Sequence, residues 1–193
     1  DLEITDNQKY DFSDCRKNIS FQPYGDEVQL TLNKNDTIYG LNMNVISFDS
    51  NIKETKTFDA KAKFMNEELF IKKYICNKNG SRIIFDSDKN DTSEISKQEI
   101  ICVELTKDKN TFVSRNSKNV IAYTGNIKLG FQLHTTALMS NEKMKFLQLR
   151  LDKNSNNNGY VWIIVDNYKV EQKDGDEIKI KNENIICGVM PKN

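Results

Sequence analysis

Histidine, tryptophan and proline are almost missing from this chain of 193 residues: it has one histidine, His134, one tryptophan, Trp162, and two prolines, Pro23 and Pro191. A single imidazole excludes a zinc site built on two or three histidines. Any Ser-His-Asp or Cys-His mechanism would have to run through His134. That residue ends an alternating segment in which Ile127, Leu129, Phe131 and Leu133 face one way and Lys128, Gln132 and His134 the other. It therefore reads as an exposed strand residue without a catalytic role. The prolines lie near the two ends, and no Pro/Gly/Ser-rich stretch divides the chain.

Other absences narrow the chemistry further. There is no Walker loop, no G-x-G-x-x-G, no G-x-S-x-G elbow and no H-E-x-x-H, which removes the signatures of most nucleotide-binding and hydrolytic folds. There is no C-x-x-C, so a zinc ribbon or thioredoxin-type motif is unsupported. Neither charge is in excess: 28 basic residues balance 28 acidic ones. The chain thus carries no electrostatic footprint for nucleic acid or an anionic membrane. The longest apolar run, Tyr160–Val165, is far short of the roughly 20 residues of a membrane-spanning helix, so membrane insertion is not expected. The chain begins at Asp1 without a methionine; either a leader has been removed or the chain has been trimmed.

What is present is alternation. Val28, Leu30 and Leu32 share one face, and Tyr39, Leu41, Met43 and Val45 share another. The two stretches read as a hairpin around Asn33-Lys34-Asn35-Asp36. Phe58, Ala60, Ala62 and Phe64 alternate in a third strand. Residues 66–76 would suit a helix capped by Asn66, but Asn79-Gly80 follows, before Ser81–Phe85. Asn-Gly between apolar runs is a strong hairpin signal, because both turn residues need positive φ, so strand is the preferred reading. Asp174-Gly175 marks another hairpin, and the loop Asp152–Gly159 reads as a hairpin tip between Phe146–Leu151 and Tyr160–Val165. The expected fold is mainly β, an antiparallel β-sandwich or jelly-roll-like domain over residues 1–193, with about a dozen short strands and at most one short helix.

The four cysteines, Cys15, Cys76, Cys102 and Cys187, suit two disulfides in an oxidising compartment. Cys15–Cys187 would tie the ends together and Cys76–Cys102 would bridge the middle; four buried free thiols are the alternative. Asn-x-Ser/Thr sequons stand at Asn18, Asn35, Asn79 and Asn90, but asparagine is too abundant for them to decide the compartment.

Two loops are rich in oxygen ligands. Asp88–Glu99 resembles a calcium loop, with Asp88, Asn90, Thr92 and Glu99 at ligand positions. Ser93 replaces the usual glycine, and the flanks read as strands. Asp152, Asn154 and Asn156 alternate in the second loop, but one carboxylate among amides makes a weak calcium ligand set. Apart from calcium, no cofactor is expected.

Tyr160 and Trp162 share one face of their strand. If Val161, Ile163 and Val165 form the core side, the two rings look outward beside Asn156 and Asn158. They would then stack on a sugar or anchor a partner. If the strand is central and covered on both sides, Trp162 is core. The functional expectation is a secreted, periplasmic or surface-exposed non-enzymatic module that binds a protein or a glycan. The alternatives are an inhibitor or toxin-neutralising protein and a carboxylate-dependent glycan hydrolase or lyase, since paired carboxylates on separate strands leave no sequence motif.

Overall fold

In the computed structural model the described residues are 19–20, 27–58, 70–88, 98–114, 117–135, 143–166, 169–173, 177–181 and 188–191. Side chains are described for 27–57, 71–88, 100–108, 110–112, 118–130 and 147–164. The protein is mainly β, and its described residues form sixteen strands in antiparallel sheets and one 3-10 turn, Ser117–Asn119. No helix among the described residues is long and apolar enough to cross a membrane.

In chain order the strands are β1 (Ile19–Ser20), β2 (Val28–Leu32), β3 (Thr37–Gly40), β4 (Met43–Phe48), β5 (Ile52–Phe58) and β6 (Phe70–Cys76). There follow β7 (Ser81–Ser87), β8 (Gln98–Leu105), β9 (Lys109–Ser114), β10 (Val120–Thr124) and β11 (Ile127–Thr135). The last five are β12 (Lys143–Leu151), β13 (Gly159–Asp166), β14 (Lys169–Lys173), β15 (Glu177–Lys181) and β16 (Gly188–Pro191). The largest sheet has seven strands in the order β1-β8-β13-β10-β3-β6-β5. A four-stranded sheet, β11-β12-β9-β16, and a three-stranded sheet, β2-β7-β4, cover its two faces, while β14 and β15 form a separate ribbon.

The period of two explains the layering. On β13, Val161 and Ile163 enter the core shared with the four-stranded sheet, and Trp162 and Ile164 enter the core shared with the three-stranded sheet. On β8, Ile101, Val103 and Leu105 go one way and Ile100 and Cys102 the other. A strand covered on both faces must be apolar at successive positions, and Val161, Trp162, Ile163 and Ile164 are all buried. The fold is β-sandwich-like, with the large sheet acting as the shared middle layer.

On β10 the alternation breaks. Val120 and Tyr123 face the first core, whereas Ile121 and Ala122 face the second. A register shift between Val120 and Ala122 changes the phase of the strand, as an extra residue in one strand does. The carbonyl groups freed there are met from the β3–β4 junction. Leu41 N donates to Ile121 O at 2.9 Å, and the buried Asn42 donates through Nδ2 to Val120 O at 2.8 Å.

Strand positions follow the sequence, but several pairings do not. β2 and β3 do not form the expected hairpin: β2 pairs with β7, and β3 pairs with β6 and β10. The expected strand through Tyr39–Val45 breaks at Leu41-Asn42 into β3 and β4, which belong to different sheets. Asn79-Gly80 is a tight turn with Gly80 at φ 79°, yet β6 and β7 also lie in different sheets. The Asp152–Gly159 loop likewise joins the four-stranded sheet to the large one, so it is a crossover and not a hairpin tip. Tight turns fit both roles, because turn chemistry fixes backbone angles without fixing the layer in which the next strand docks. β14 and β15 pair antiparallel as expected, with Lys173 opposite Glu177, and the turn at Asp174-Gly175 lies outside the described residues.

Cys76 and Cys102 are both buried free thiols, so the expected bond between them is not formed. Each is held apart by its own packing. Cys76 Sγ donates to Lys78 O at 3.0 Å, and Cys102 lies opposite Trp162 in the β8–β13 ladder. The Cys15–Cys187 expectation lies outside the described residues.

Candidate functional site

Several crossovers gather at one end of the large sheet and are fastened to one another. Lys34 N donates to Asn79 Oδ1 at 2.8 Å, and Gly125 N to Thr37 O at 2.8 Å. Asn126 is the central brace. Its Nδ2 group contacts Ser155 Oγ at 3.0 Å, Asn157 O at 3.2 Å and Asn158 O at 3.0 Å. Its Oδ1 accepts from Thr124 Oγ1 at 2.6 Å, and that hydroxyl oxygen in turn accepts from Tyr160 N at 3.0 Å. Gly125 passes so close to Thr37 that an added Cβ would lie 2.7 Å from Thr37 Cβ; the turn has no room for a larger residue.

These braced loops border a cleft of about 970 Å³. One wall is β2, through Leu30, Thr31 and Leu32, and the facing wall is Asn126, Ser155, Asn157 and Asn158. Cys102, Tyr160 and Trp162 contribute the side chains of the large sheet between them. Tyr160 is 37% exposed, and its ring lies 6.5 Å from that of Trp162 at a tilt of 32°. Trp162 is only 4% exposed and packs edge-to-face on Phe85, centroids 5.8 Å apart. Of the two alternatives weighed for this strand, the structure has the central one. Trp162 does not face outward but belongs to the core and borders the cleft from below. Its Nε1–H is buried without a hydrogen-bond partner among the described residues, an uncommon condition for an indole donor.

Four sequence-marked ligand residues thus separate. Tyr160 and Trp162 border the cleft together. Asn158 lines it, but its Nδ2 is committed to Glu104 Oε1 at 2.7 Å. Asn156 is exposed and does not line it. Sequence reasoning missed the β2 wall and Asn126. A turn asparagine signals backbone geometry, and nothing in the sequence shows how far its side chain reaches.

The electrostatics of the cleft are mild. Asp36 is the carboxylate of its described lining, and its Oδ2 accepts from Asn33 N at 2.8 Å. Lys73 is the cation, its Nζ 5.7 Å from the centre of the Tyr39 ring. Burial, assisted by the nearby Glu104 charge, pushes the Cys102 thiol up to about 12. It is therefore protonated at neutral pH and not an activated nucleophile. Burial and Glu104 also raise the Tyr160 phenol above its ordinary value.

The metal expectations fare differently. Asp88 is exposed at the end of β7, and its N donates to Asn42 O at 3.1 Å. Asn90, Thr92 and the Glu99 side chain lie outside the described residues. The flanks of that loop are strands, β7 and β8, as the sequence implied. Among the described residues no group of three or more His, Cys, Asp or Glu side chains stands together. In the second loop Asp152 is engaged, accepting from Asn154 N at 3.0 Å and facing Lys128 Nζ at 3.4 Å. The Asn154 hydrogen bond, with Lys128, holds its carboxyl below the usual range. His134 stands on β11 opposite Met144; the expectation for its side chain lies outside the described residues.

No family model matches this chain, and no curated protein or solved structure is significantly similar to it.

Proposed function

We propose that this chain is a non-enzymatic binding module that holds a near-neutral ligand, protein or glycan, in the cleft between β2 and the β12–β13 loop. The observation that carries this reading is a cleft braced from outside by Asn126 and bordered by a half-exposed tyrosine above a buried tryptophan. Its volume is near the top of the roughly 300–1,000 Å³ range of ligand pockets. Side-chain amides of Asn33, Asn35 and Asn157 line it, and their hydrogen-bonding groups are not spent within the described residues.

The rival readings find less support. A two-carboxylate hydrolase needs a facing pair, and the described lining offers Asp36. An inhibitor acting by a protruding wedge would need a free loop, whereas residues 155–158 are tied to Asn126 and Glu104. Export belongs to the same proposal. The free thiols at Cys76 and Cys102 remove half of its cysteine argument.

The test is a binding screen against a neutral glycan array and a peptide library, followed by Tyr160→Ala and Asn157→Ala in the full chain. Each variant should weaken binding by tenfold or more. Asn157→Ala, at an exposed loop position, should change stability by less than about 1 kcal/mol. A ligand whose affinity ignores both variants would place binding elsewhere and remove the reading.

A further inference from the structure

The two edges of the three-stranded sheet differ. β4 forms one edge, and its pairing with β7 shifts register between Val45 and Ser47. Such an irregularity is one of the ways proteins make an edge unfit for further pairing. β2 forms the other edge. It pairs with β7 in unbroken register from Val28 to Leu32, and its sequence, Val-Gln-Leu-Thr-Leu, has no charge and no proline. Among the described residues none of the usual edge defences is present. Among the described residues no strand uses its second ladder, and this open side borders the cleft.

We propose that the cleft is a strand-addition site, in which an extended peptide of a partner protein pairs with β2 and becomes the fourth strand of the small sheet. The inference rests on the binding-module reading and names its ligand. Five residues of β2, at about 3.3 Å each, offer a docking edge of roughly 17 Å. An added strand would alternate its side chains. One set would turn toward the half-exposed Tyr160 and the edge of the core at Trp162 and Cys102, which border the cleft, and the other set toward solvent. The unpartnered Trp162 Nε1–H supplies a donor beside this path. The uncharged edge and a described lining with one Asp36 and one Lys73 suit a peptide of low charge. A glycan is less well served, because on the facing wall the Asn126 amide is committed to the loop and the Asn158 amide to Glu104, whereas the side of β2 away from β7 has no partner strand among the described residues.

The experiment uses the full chain and a phage-displayed library of linear heptapeptides, with a neutral glycan array in parallel. Hydrogen exchange of the free protein should show alternate β2 amides exchanging fast. Selected peptides should be uncharged and alternating, and should slow those amides. Backbone N-methylation at alternate peptide positions should weaken binding by tenfold or more, and methylation at the intervening positions should leave it nearly unchanged. This test leaves the protein unaltered. Three outcomes would overturn the inference. In the first, β2 is already protected in the free chain, which means that one of its own segments holds the edge. In the second, peptides bind with indifference to methylation in either register. In the third, a glycan binds in a Tyr160-dependent way while no peptide is selected; the binding-module reading then stands without the strand. If neither probe binds, both fall.

Discussion

The two faces of the seven-stranded sheet are built to different standards. The face toward β11, β12 and β9 is closed with aliphatic and aromatic side chains such as Phe112, Leu147, Leu149 and Val161, all at 0% exposure. The face toward β2, β7 and β4 holds two thiols, an indole with no acceptor among the described residues and a tyrosine, Tyr74, bonded to Glu54 at 2.8 Å. It ends in the cleft. Polar groups in a core cost stability unless satisfied, so the second face carries features that packing alone does not explain. One side of the sheet serves cohesion, and the other side trades cohesion for a surface.

Four measurements would break or sharpen this contrast. The largest effect is expected in the closed face. Phe112→Ala should cost about 3–5 kcal/mol by urea denaturation, as full truncation of a buried aromatic does. A cost below about 1 kcal/mol would mean that this face is not the cohesive one.

The second effect is alkaline sensitivity, which should arise in the other face. The folded state holds the Cys102 proton more tightly than the unfolded state, with the thiol raised from 9.0 to about 12. The corresponding stability is present below pH 9 and is lost as pH rises from 9 toward 12. The full loss is on the order of 4 kcal/mol, at about 1.4 kcal/mol per tenfold change in proton affinity. The Tyr74 phenol, also raised by burial and by Glu54, adds to the loss above pH 10. Denaturation curves at pH 8 and 11 measure the total, and Cys102→Ala should flatten the pH dependence. An unchanged slope in that variant would refute the assignment.

Third, Asn126→Ala should cost about 1–3 kcal/mol, because it leaves Thr124, Ser155 and two carbonyl groups without their partner. Exchange at residues 153–158 should accelerate well before global unfolding. Equal protection in variant and parent would show that the loops hold without this brace.

The smallest effect is expected for Trp162→Phe, within about 1 kcal/mol by the same denaturation assay. Removing an unsatisfied donor offsets part of the lost ring volume. A loss as large as that of Phe112→Ala would show that the indole N–H has an acceptor after all.

Much of the fold is legible in the sequence, and the reason is geometric. Period-two alternation marks a strand wherever one face is dry, as in β7, where Ile83 and Phe85 are buried and Arg82 is exposed. Unbroken apolar runs mark strands covered on both faces, and Tyr160–Val165 carried that signal for Trp162. What alternation does not specify is the partner. Asn33–Asp36 and Asn79-Gly80 have hairpin chemistry, with Asn35 at φ 73° and Gly80 at φ 79°. Yet each carries the chain between sheets, because that choice depends on which distant strand offers the better apolar face. The cleft was legible only in part. Tyr160 and Trp162 stood out by composition, whereas the wall at Leu30–Leu32 looks in sequence like any half-buried strand.

β13 lies between β8 and β10 in the large sheet, and this position bears on how the chain is made. Until it emerges from the ribosome, β8 with β1 and β10 with β3, β6 and β5 are two fragments with no shared hydrogen-bond ladder. β8 is complete at Leu105, but β13 ends at Asp166. At about 5–20 residues per second the interval is roughly 3–12 s. Through that time Ile100–Val103, apolar on both sides, wait beside an open edge, a state prone to mispairing with neighbouring chains. The strand that completes the middle layer is therefore also the step on which nascent chains either close or aggregate.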